Sequence, residues 1–282
     1  MSAETIPSPN QETVRPGDIK PVADALTGQP SWYRTSSGAG ATAEPTDSKP
    51  YNVNGSLEFN VTDPSSYVEI GLINRLPSHK LADLGETGLS YATWQTTNEP
   101  QAVALQVNVD LDVTDTNTAW QGRMVFEPYM NNTDTMGRTI MADTWQSWLT
   151  LKESANWWMT WSAAATSQYG ANPCPQSAPC TTAEVLAQFP NAGFNAGTGN
   201  ALTLKAGSGW NDFVGYADVP YVGSTTNTYW DFEPEQVAPN SPTSKEQCKN
   251  DGWKSLAAVS GEPFKNQGQC VSSVASAGRS GR

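Results

Sequence analysis

The chain has 282 residues, of which 16% are charged, and its formal net charge is −12. An acidic surface repels phosphate backbones, so the charge argues against a nucleic-acid partner. No stretch of the sequence is long and apolar enough to cross a membrane. Frequent Gly, Thr, Ser and Asn, together with eleven Trp, favour short strands and turns over long helices.

Composition along the chain predicts one large domain with polar ends. Residues 1–27 are polar and rich in proline, which predicts a disordered segment. We expect a β-sandwich domain over residues 28–234. A Pro-rich linker over residues 235–243 then leads to a short tail motif over residues 244–275 and a disordered end over residues 276–282.

An alternation of apolar and polar residues with a period of two predicts the strands of the sandwich. The clearest case is residues 102–113, where Val or Leu occupies every odd position. Three segments place polar or aromatic side chains opposite their apolar stripe. These side chains are Gln106, Asn108 and Asp110 from residues 102–113, Arg123, Glu127 and Tyr129 from residues 123–130, and Gln146 and Trp148 from residues 144–151.

A later segment carries a helix signal instead of a strand signal. Thr181 and Glu184 form a capping box, in which each side chain satisfies a free backbone amide. The pattern predicts one short helix that ends before Pro190. Upstream, Trp157 and Trp158 are adjacent, so at most one of them faces the core of a strand. The other is a candidate for ligand contact, although the edge of the sandwich could also cover it.

The cysteines form two pairs that are close in sequence, Cys174 with Cys180 and Cys248 with Cys270. The chain has a single histidine, His79, and the cysteine spacing does not fit a zinc site. We therefore predict two disulfides, and proximity favours these two pairs among three connectivities. Disulfides indicate an oxidising compartment, so we expect an extracellular or cell-surface protein.

Residues 244–275 contain Cys-Lys-Asn-Asp-Gly-Trp-Lys and Asn-Gln-Gly-Gln-Cys elements. They resemble a C-terminal motif of many secreted bacterial proteins of unassigned function. The body from about Gly55 to Glu233 resembles the rest of those proteins in four elements. These are Leu89-Ser90-Tyr91, the stretch from Gly122-Arg123 to Glu127-Pro128-Tyr129, Thr144-Trp145-Gln146-Ser147-Trp148 and Ala206-Gly207-Ser208-Gly209-Trp210.

The ending Gly215-Tyr216-Ala217-Asp218-Val219 is similar to the last strands of concanavalin-like lectin and glucanase sandwiches. This resemblance implies an all-β, antiparallel jelly-roll fold with one short helix and a disulfide-stapled tail. By analogy it also implies binding of extracellular carbohydrate. The glucanase motif of alternating Glu, Asp and Glu is absent, because the comparable positions hold Asn108, Asp110 and Asp112.

The eight polar and aromatic side chains on the predicted strands suggest a ligand face. Hydrogen-bonding groups beside an aromatic ring are what sugar recognition requires. The alternative is a solvated face crossed by an Arg123–Glu127 ion pair. Asp110 and Glu127 could also form the acid–base pair of a glycosidase if their carboxyl groups lie about 5–9.5 Å apart.

No cofactor is expected beyond a structural calcium ion, which Asp110, Asp112 and Asp115 could hold through oxygen ligands. A polar strand end explains the same three residues. The sequence therefore predicts a secreted or surface-associated protein that binds an extracellular polymer, in the first place a carbohydrate. The alternatives are a polysaccharide-degrading glycosidase or lyase, and a structural or adhesive surface protein without a small ligand.

Overall fold

The computed structural model describes residues 9–22, 31–52, 54–73, 76, 79–97, 100–131, 133–195, 200–223, 227–235, 241–258 and 262–277. The chain divides into two compact units, Met1–Pro234 and Glu235–Arg282. Each unit contains its own cluster of buried apolar side chains. None of the helices in these ranges has the length and apolar character that crossing a membrane requires.

The described residues form sixteen strands and four α-helices. The strands, in chain order, are β1 (Asn10–Val14), β2 (Ile19–Pro21), β3 (Ser31–Ser37), β4 (Ala41–Thr46), β5 (Ser56–Val61), β6 (Tyr67–Ile73), β7 (Leu89–Gln95), β8 (Ala104–Asp110), β9 (Gly122–Phe126), β10 (Gln146–Leu149), β11 (Asn156–Trp161), β12 (Cys180–Thr181), β13 (Gly193–Phe194), β14 (Asn200–Gly207), β15 (Phe213–Val222) and β16 (Thr228–Phe232). The helices are α1 (Leu81–Leu84), α2 (Ala163–Tyr169), α3 (Thr182–Gln188) and α4 (Gln267–Ala277).

Sheet one contains seven of these strands, arranged around the long strand β15. One edge of β15 pairs with β5 and, further along, with β16, and its other edge pairs with β7. Strands β4 and β10 continue the sheet beyond β5 and β7. All of these pairs are antiparallel. Strand β1 completes the sheet by pairing with β16 in a parallel orientation.

Sheet two contains the other nine strands in the order β12-β11-β9-β8-β14-β6-β3-β2, with β13 paired to β8. Its pairs are antiparallel except for β2 with β3, which is parallel. Both sheets are therefore mixed, and the prediction of a purely antiparallel sandwich is wrong in this respect. The fold-class prediction included one short helix, which is α3. The structure also contains α1, α2 and α4.

Both parallel strands come from the segment that the sequence predicts to be disordered. Val14 at the end of β1 is 3% exposed, and Ile19 at the start of β2 is 8% exposed. These two side chains bury against the core, and side-chain hydrogen bonds from Tyr229 to Gln11 and from Trp230 to Glu12 add to the pairing of β1 with β16. The prediction of disorder over residues 1–27 is therefore wrong for residues 10–21, where the polar and proline-rich composition conceals these two apolar positions.

The two sheets pack face to face as a β-sandwich with an aromatic core. Trp32 of sheet two packs edge-on against Phe232 of sheet one, with ring centroids 4.9 Å apart. Tyr91 of sheet one contacts Phe126 of sheet two in the same way at 6.1 Å. The odd positions of β8 are buried in this core, which confirms the alternation predicted for residues 102–113.

Local signals in the sequence also correspond to local structure. Helix α3 begins after the predicted capping box, in which the Thr181 hydroxyl accepts from the Glu184 amide. Both predicted disulfides, Cys174–Cys180 and Cys248–Cys270, are formed. In the second unit, Phe264 packs with the second disulfide. Helix α4 runs to Ala277, into the segment expected to be a disordered end.

Candidate ligand-binding site

The alternation of each strand in sheet two places a band of polar side chains on the face that points away from the core. Strand register aligns Glu69 of β6 with Lys205 of β14, and Thr203 of β14 with Gln106 of β8. It also aligns Asn108 of β8 with Arg123 of β9. Side chains far apart in sequence therefore meet on one outer face.

Arg123 connects this band through its guanidinium group. Its Nη1 donates to Gln106 Oε1 at 2.9 Å and to Glu69 Oε1 at 3.0 Å, and its Nε donates to Asn108 Oδ1 at 3.2 Å. Lys205 Nζ lies 3.4 Å from the same Glu69 oxygen. Arg123 therefore forms its ion pair with Glu69. The prediction of an ion pair between Arg123 and Glu127 is wrong.

A pocket of about 240 Å³ opens beside this network, at the end where β8 begins and β9 ends. Three aromatic rings and several hydrogen-bonding groups surround it. Its lining residues are Ala104, Gln106, Glu127, Tyr129, Trp158, Gln176, Lys205, Gly207, Ser208 and Trp210.

Glu127 is the acidic group of the pocket and directly follows β9. Its carboxylate accepts a hydrogen bond from Trp158 Nε1 at 3.1 Å and another from the Tyr129 hydroxyl. Desolvation, reinforced by the Glu127 charge, raises the pKa of Tyr129 to about 12. Among the described residues no cation forms an ion pair with Glu127, and its negative charge is available to hydrogen-bond donors of a ligand.

The aromatic walls are held in place by the surrounding chain. Trp158 projects from β11, and Trp210 packs against Phe213 with ring centroids 4.8 Å apart. Gly207 has φ of 106°, and a Cβ there would overlap the backbone of Ser66, so the turn that leads to Trp210 needs glycine. Gln176 reaches the pocket from the loop closed by the Cys174–Cys180 disulfide.

Gln146 and Trp148 do not belong to this face. They lie on β10 of sheet one and are 1% and 2% exposed. Trp148 Nε1 donates to Thr93 Oγ1 at 2.9 Å in the core, and Gln146 Nε2 donates to the Thr139 carbonyl and to Asp134. The predicted orientation of β10 is wrong because a polar glutamine points inward, where the loop that follows Asp134 satisfies its amide.

Asp110 is also separated from the pocket. The register of β8 and β9 pairs Leu105 with Phe126, which puts Glu127 opposite Ala104. Asp110 lies six residues further along β8, and at about 3.3 Å per residue this is a distance of about 20 Å. A glycosidase needs carboxyl groups about 5–9.5 Å apart, so Asp110 and Glu127 do not form such a pair.

The three aspartates considered for calcium instead stabilise their own turn. Asp110 Oδ1 accepts from the Asp112 amide, and Asp112 Oδ1 accepts from the amide and hydroxyl of Thr114. Asp115 Oδ1 accepts from the Asn117 amide. Within the described ranges no three His, Cys, Asp or Glu side chains are grouped so that they could hold a metal ion.

The pocket therefore retains Gln106, Glu127 and Tyr129 of the predicted ligand face, with Asn108 and Arg123 in the adjoining network. Sequence reasoning missed four contributors: Glu69, Gln176, Lys205 and Trp210. The sequence did indicate Trp158 as a candidate for ligand contact, because it follows Trp157 directly in a predicted strand. Trp157 is fully buried and Trp158 faces the pocket, as the alternation of a strand requires.

Comparisons of the chain with protein-family models, with curated proteins and with solved structures found no match.

Proposed function

We propose that this protein binds an extracellular carbohydrate polymer in the pocket on the outer face of sheet two. One observation carries the proposal: the rings of Tyr129, Trp158 and Trp210 line the same pocket as the polar side chains of Gln106 and Glu127. A pyranose ring has apolar C–H faces that stack on aromatic rings and hydroxyl groups around its edge. Such a ligand needs rings and paired hydrogen-bonding groups within one small cavity.

The polar groups of the pocket complement sugar hydroxyls in both directions. The Glu127 carboxylate can accept about two further hydrogen bonds besides those from Trp158 and Tyr129. The amides of Gln106 and Gln176 can both donate and accept. Lys205 supplies a cationic donor that is anchored by Glu69 at 3.4 Å and lies 4.5 Å from the centre of the Tyr67 ring. An extracellular ligand also agrees with the two disulfides, which persist in oxidising compartments.

The spacing of carboxylates favours binding over hydrolysis. Asp110 lies about 20 Å from Glu127 along the strand direction. Glu69 is three strands away from Glu127, which corresponds to about 14 Å at ordinary strand spacing. Neither residue is close enough to act with Glu127 as the acid–base pair of a glycosidase.

The proposal is tested on a glycan array, followed by titration calorimetry with the best-bound oligosaccharide. Trp158→Ala removes a stacking ring and the indole donor to Glu127, and should raise the Kd at least about tenfold, which corresponds to about 1.4 kcal/mol. Glu127→Gln keeps the shape and should retain part of the affinity. Met136→Ala is the control, because Met136 is 73% exposed and does not line the pocket.

Two results would overturn the proposal. One is a wild-type protein that binds no glycan on the array. The other is a Trp158→Ala variant that is folded and binds as tightly as Met136→Ala. A reducing-end assay on the bound glycans separates binding from hydrolysis, because a hydrolase that depends on Glu127 would lose nearly all turnover in Glu127→Gln.

A further inference from the structure

The outer face of sheet one contains a second groove, of about 290 Å³, which shares no lining residue with the pocket described above. Tyr221 of β15 lies directly opposite Tyr229 of β16, and on its other side it lies opposite Ser90 of β7. Cross-strand neighbours of this kind have Cβ atoms about 4.5–5.5 Å apart. Two adjacent tyrosine rings therefore stand beside a position where a small serine leaves space.

The rings of the groove are fixed by hydrogen bonds of their hydroxyl groups. Tyr221 donates to Asn227 Oδ1 at 2.7 Å, and Tyr229 donates to Gln11 Oε1 at 2.8 Å. Tyr51 forms the remaining wall, is 38% exposed, and its hydroxyl lies 2.9 Å from Ser147 Oγ. A ligand that stacks on these rings would lose little side-chain entropy, because the rings are already oriented.

A β-bulge turns Tyr221 to the outer face. Phe213 and Ala217, at odd positions of β15, lie in the core, but so does Val222 at an even position. The register with β7 shifts by one residue between Asp218 and Tyr221. Without this extra residue Tyr221 would point inward, since successive residues of a strand face opposite sides. Bulges often re-aim a side chain next to a functional site.

The bulge includes a strained residue that lines the groove. Val219 has φ of 45°, a left-handed conformation that is a real outlier for a β-branched residue. Asp218 supports the bulge, because its Oδ1 accepts the Phe232 amide at 3.0 Å and its carboxyl also accepts the Val219 amide. Backbone strain of this kind persists where the surroundings enforce it and is concentrated at ligand sites.

We propose that this groove is a second, independent carbohydrate-binding site that takes neutral sugar rings. Its six lining residues, Tyr51, Asn52, Ser90, Val219, Tyr221 and Tyr229, include no Lys, Arg, Asp or Glu. The aromatic rings and the Asn52 amide suit the C–H faces and hydroxyls of an uncharged pyranose. The inference takes its ligand class from the proposed function, but it concerns the opposite face of the sandwich. One molecule would then bind two polymer segments at once.

The test is affinity electrophoresis in native gels that contain a mixed-linkage β-glucan, a xyloglucan, a glucomannan or an α-glucan. The groove variant is Tyr221→Ala/Tyr229→Ala, and its matched control is Tyr221→Phe/Tyr229→Phe, which keeps both rings. Trp158→Ala reports on the first pocket. In a gel that retards the wild type, the groove variant should raise the Kd at least about fivefold. The Phe control keeps the stacking surfaces and loses only the hydroxyl hydrogen bonds that orient the rings, so it should weaken binding less than the groove variant does. The groove variant combined with Trp158→Ala should migrate freely.

The outcomes separate the two sites. If the groove variant is retarded like the wild type, or if no gel retards the wild type, the groove proposal is overturned. If the groove variant loses affinity and Trp158→Ala does not, the result supports the groove as a binding site and contradicts the proposed function of the first pocket. Near-ultraviolet circular dichroism checks the fold of each variant. Tyr51→Ala replaces the double variant if that one is unfolded, and it should also raise the Kd.

Discussion

Removing the Cys174–Cys180 disulfide is expected to destabilise the sandwich and to weaken ligand binding in the first pocket. The loop closed by this disulfide is attached to β11, because the Met159 amide donates to the Cys174 carbonyl at 2.7 Å and Trp157 pairs with Cys180. The same loop carries Gln176 to the pocket wall. The variant Cys174→Ala/Cys180→Ala tests both effects together.

The expected size of both effects follows from the loop. The two cysteines are separated by 6 residues, and the chain-entropy relation for a loop of that length gives about 2 kcal/mol at 25 °C. For a unit of this size, 1 kcal/mol corresponds to about 2–4 °C, so the Tm should fall by about 4–8 °C. Ordering one freed side chain on binding costs about 0.5–1.5 kcal/mol, so the Kd should rise about 2- to 10-fold.

Scanning calorimetry gives the Tm, and titration with the oligosaccharide used for Trp158→Ala gives the Kd. The matched control is Cys248→Ala/Cys270→Ala, which opens a loop with a separation of 22 residues in the second unit. It should leave the Kd of the pocket unchanged. The reasoning is refuted if the control weakens binding as much as the first variant, or if the first variant melts within about 1 °C of the wild type.

Three further predictions concern stability. Trp148→Ala should lower the free energy of unfolding in urea by about 3–5 kcal/mol, because this ring lies in the core; a loss below about 1 kcal/mol would contradict that position. Gly71→Ala should cost about 1–3 kcal/mol, because a Cβ there would overlap the Tyr33 ring, whereas Gly17→Ala, with open space, should change little. Burial raises the pKa of Asp218 well above 3.8, so the folded state keeps a proton that the unfolded state releases. The free energy of unfolding should therefore fall as the pH rises from about 4 through the folded pKa, and Asp218→Asn should reduce this slope in a pH series of urea melts.

Features set by near neighbours in sequence could be predicted. The alternation along β8 fixes which of its side chains are buried, since a period of two is a property of any strand. The capping box at Thr181 acts within four residues. The cysteine pairs are close in sequence, so their connectivity could be inferred from proximity alone.

Features set by partners distant in sequence could not be predicted. Arg123 pairs with Glu69, 54 residues earlier, and nothing local distinguishes Glu69 from Glu127 as its partner. Over residues 145–149, which include β10, both alternating faces carry a tryptophan, Trp145 or Trp148, so the period of two does not show which face points inward. A bulge reverses the alternation in β15. Pro220, which has no amide for the ladder, indicates an irregularity there, but the alternation alone does not show that Tyr221 then faces outward.

The parallel pairing of β1 with β16 has a consequence for when the sandwich can fold. Trp230 Nε1 donates to Glu12 Oε2 across 218 residues of sequence. Contacts of such high sequence separation form slowly, because the closure of a long loop opposes them. The first strand therefore has no partner while the chain is being synthesised, until β16 has left the ribosome. We expect the docking of β1 onto β16 to be among the last steps of assembly, so this edge of the sandwich closes only after nearly the whole first unit has been synthesised.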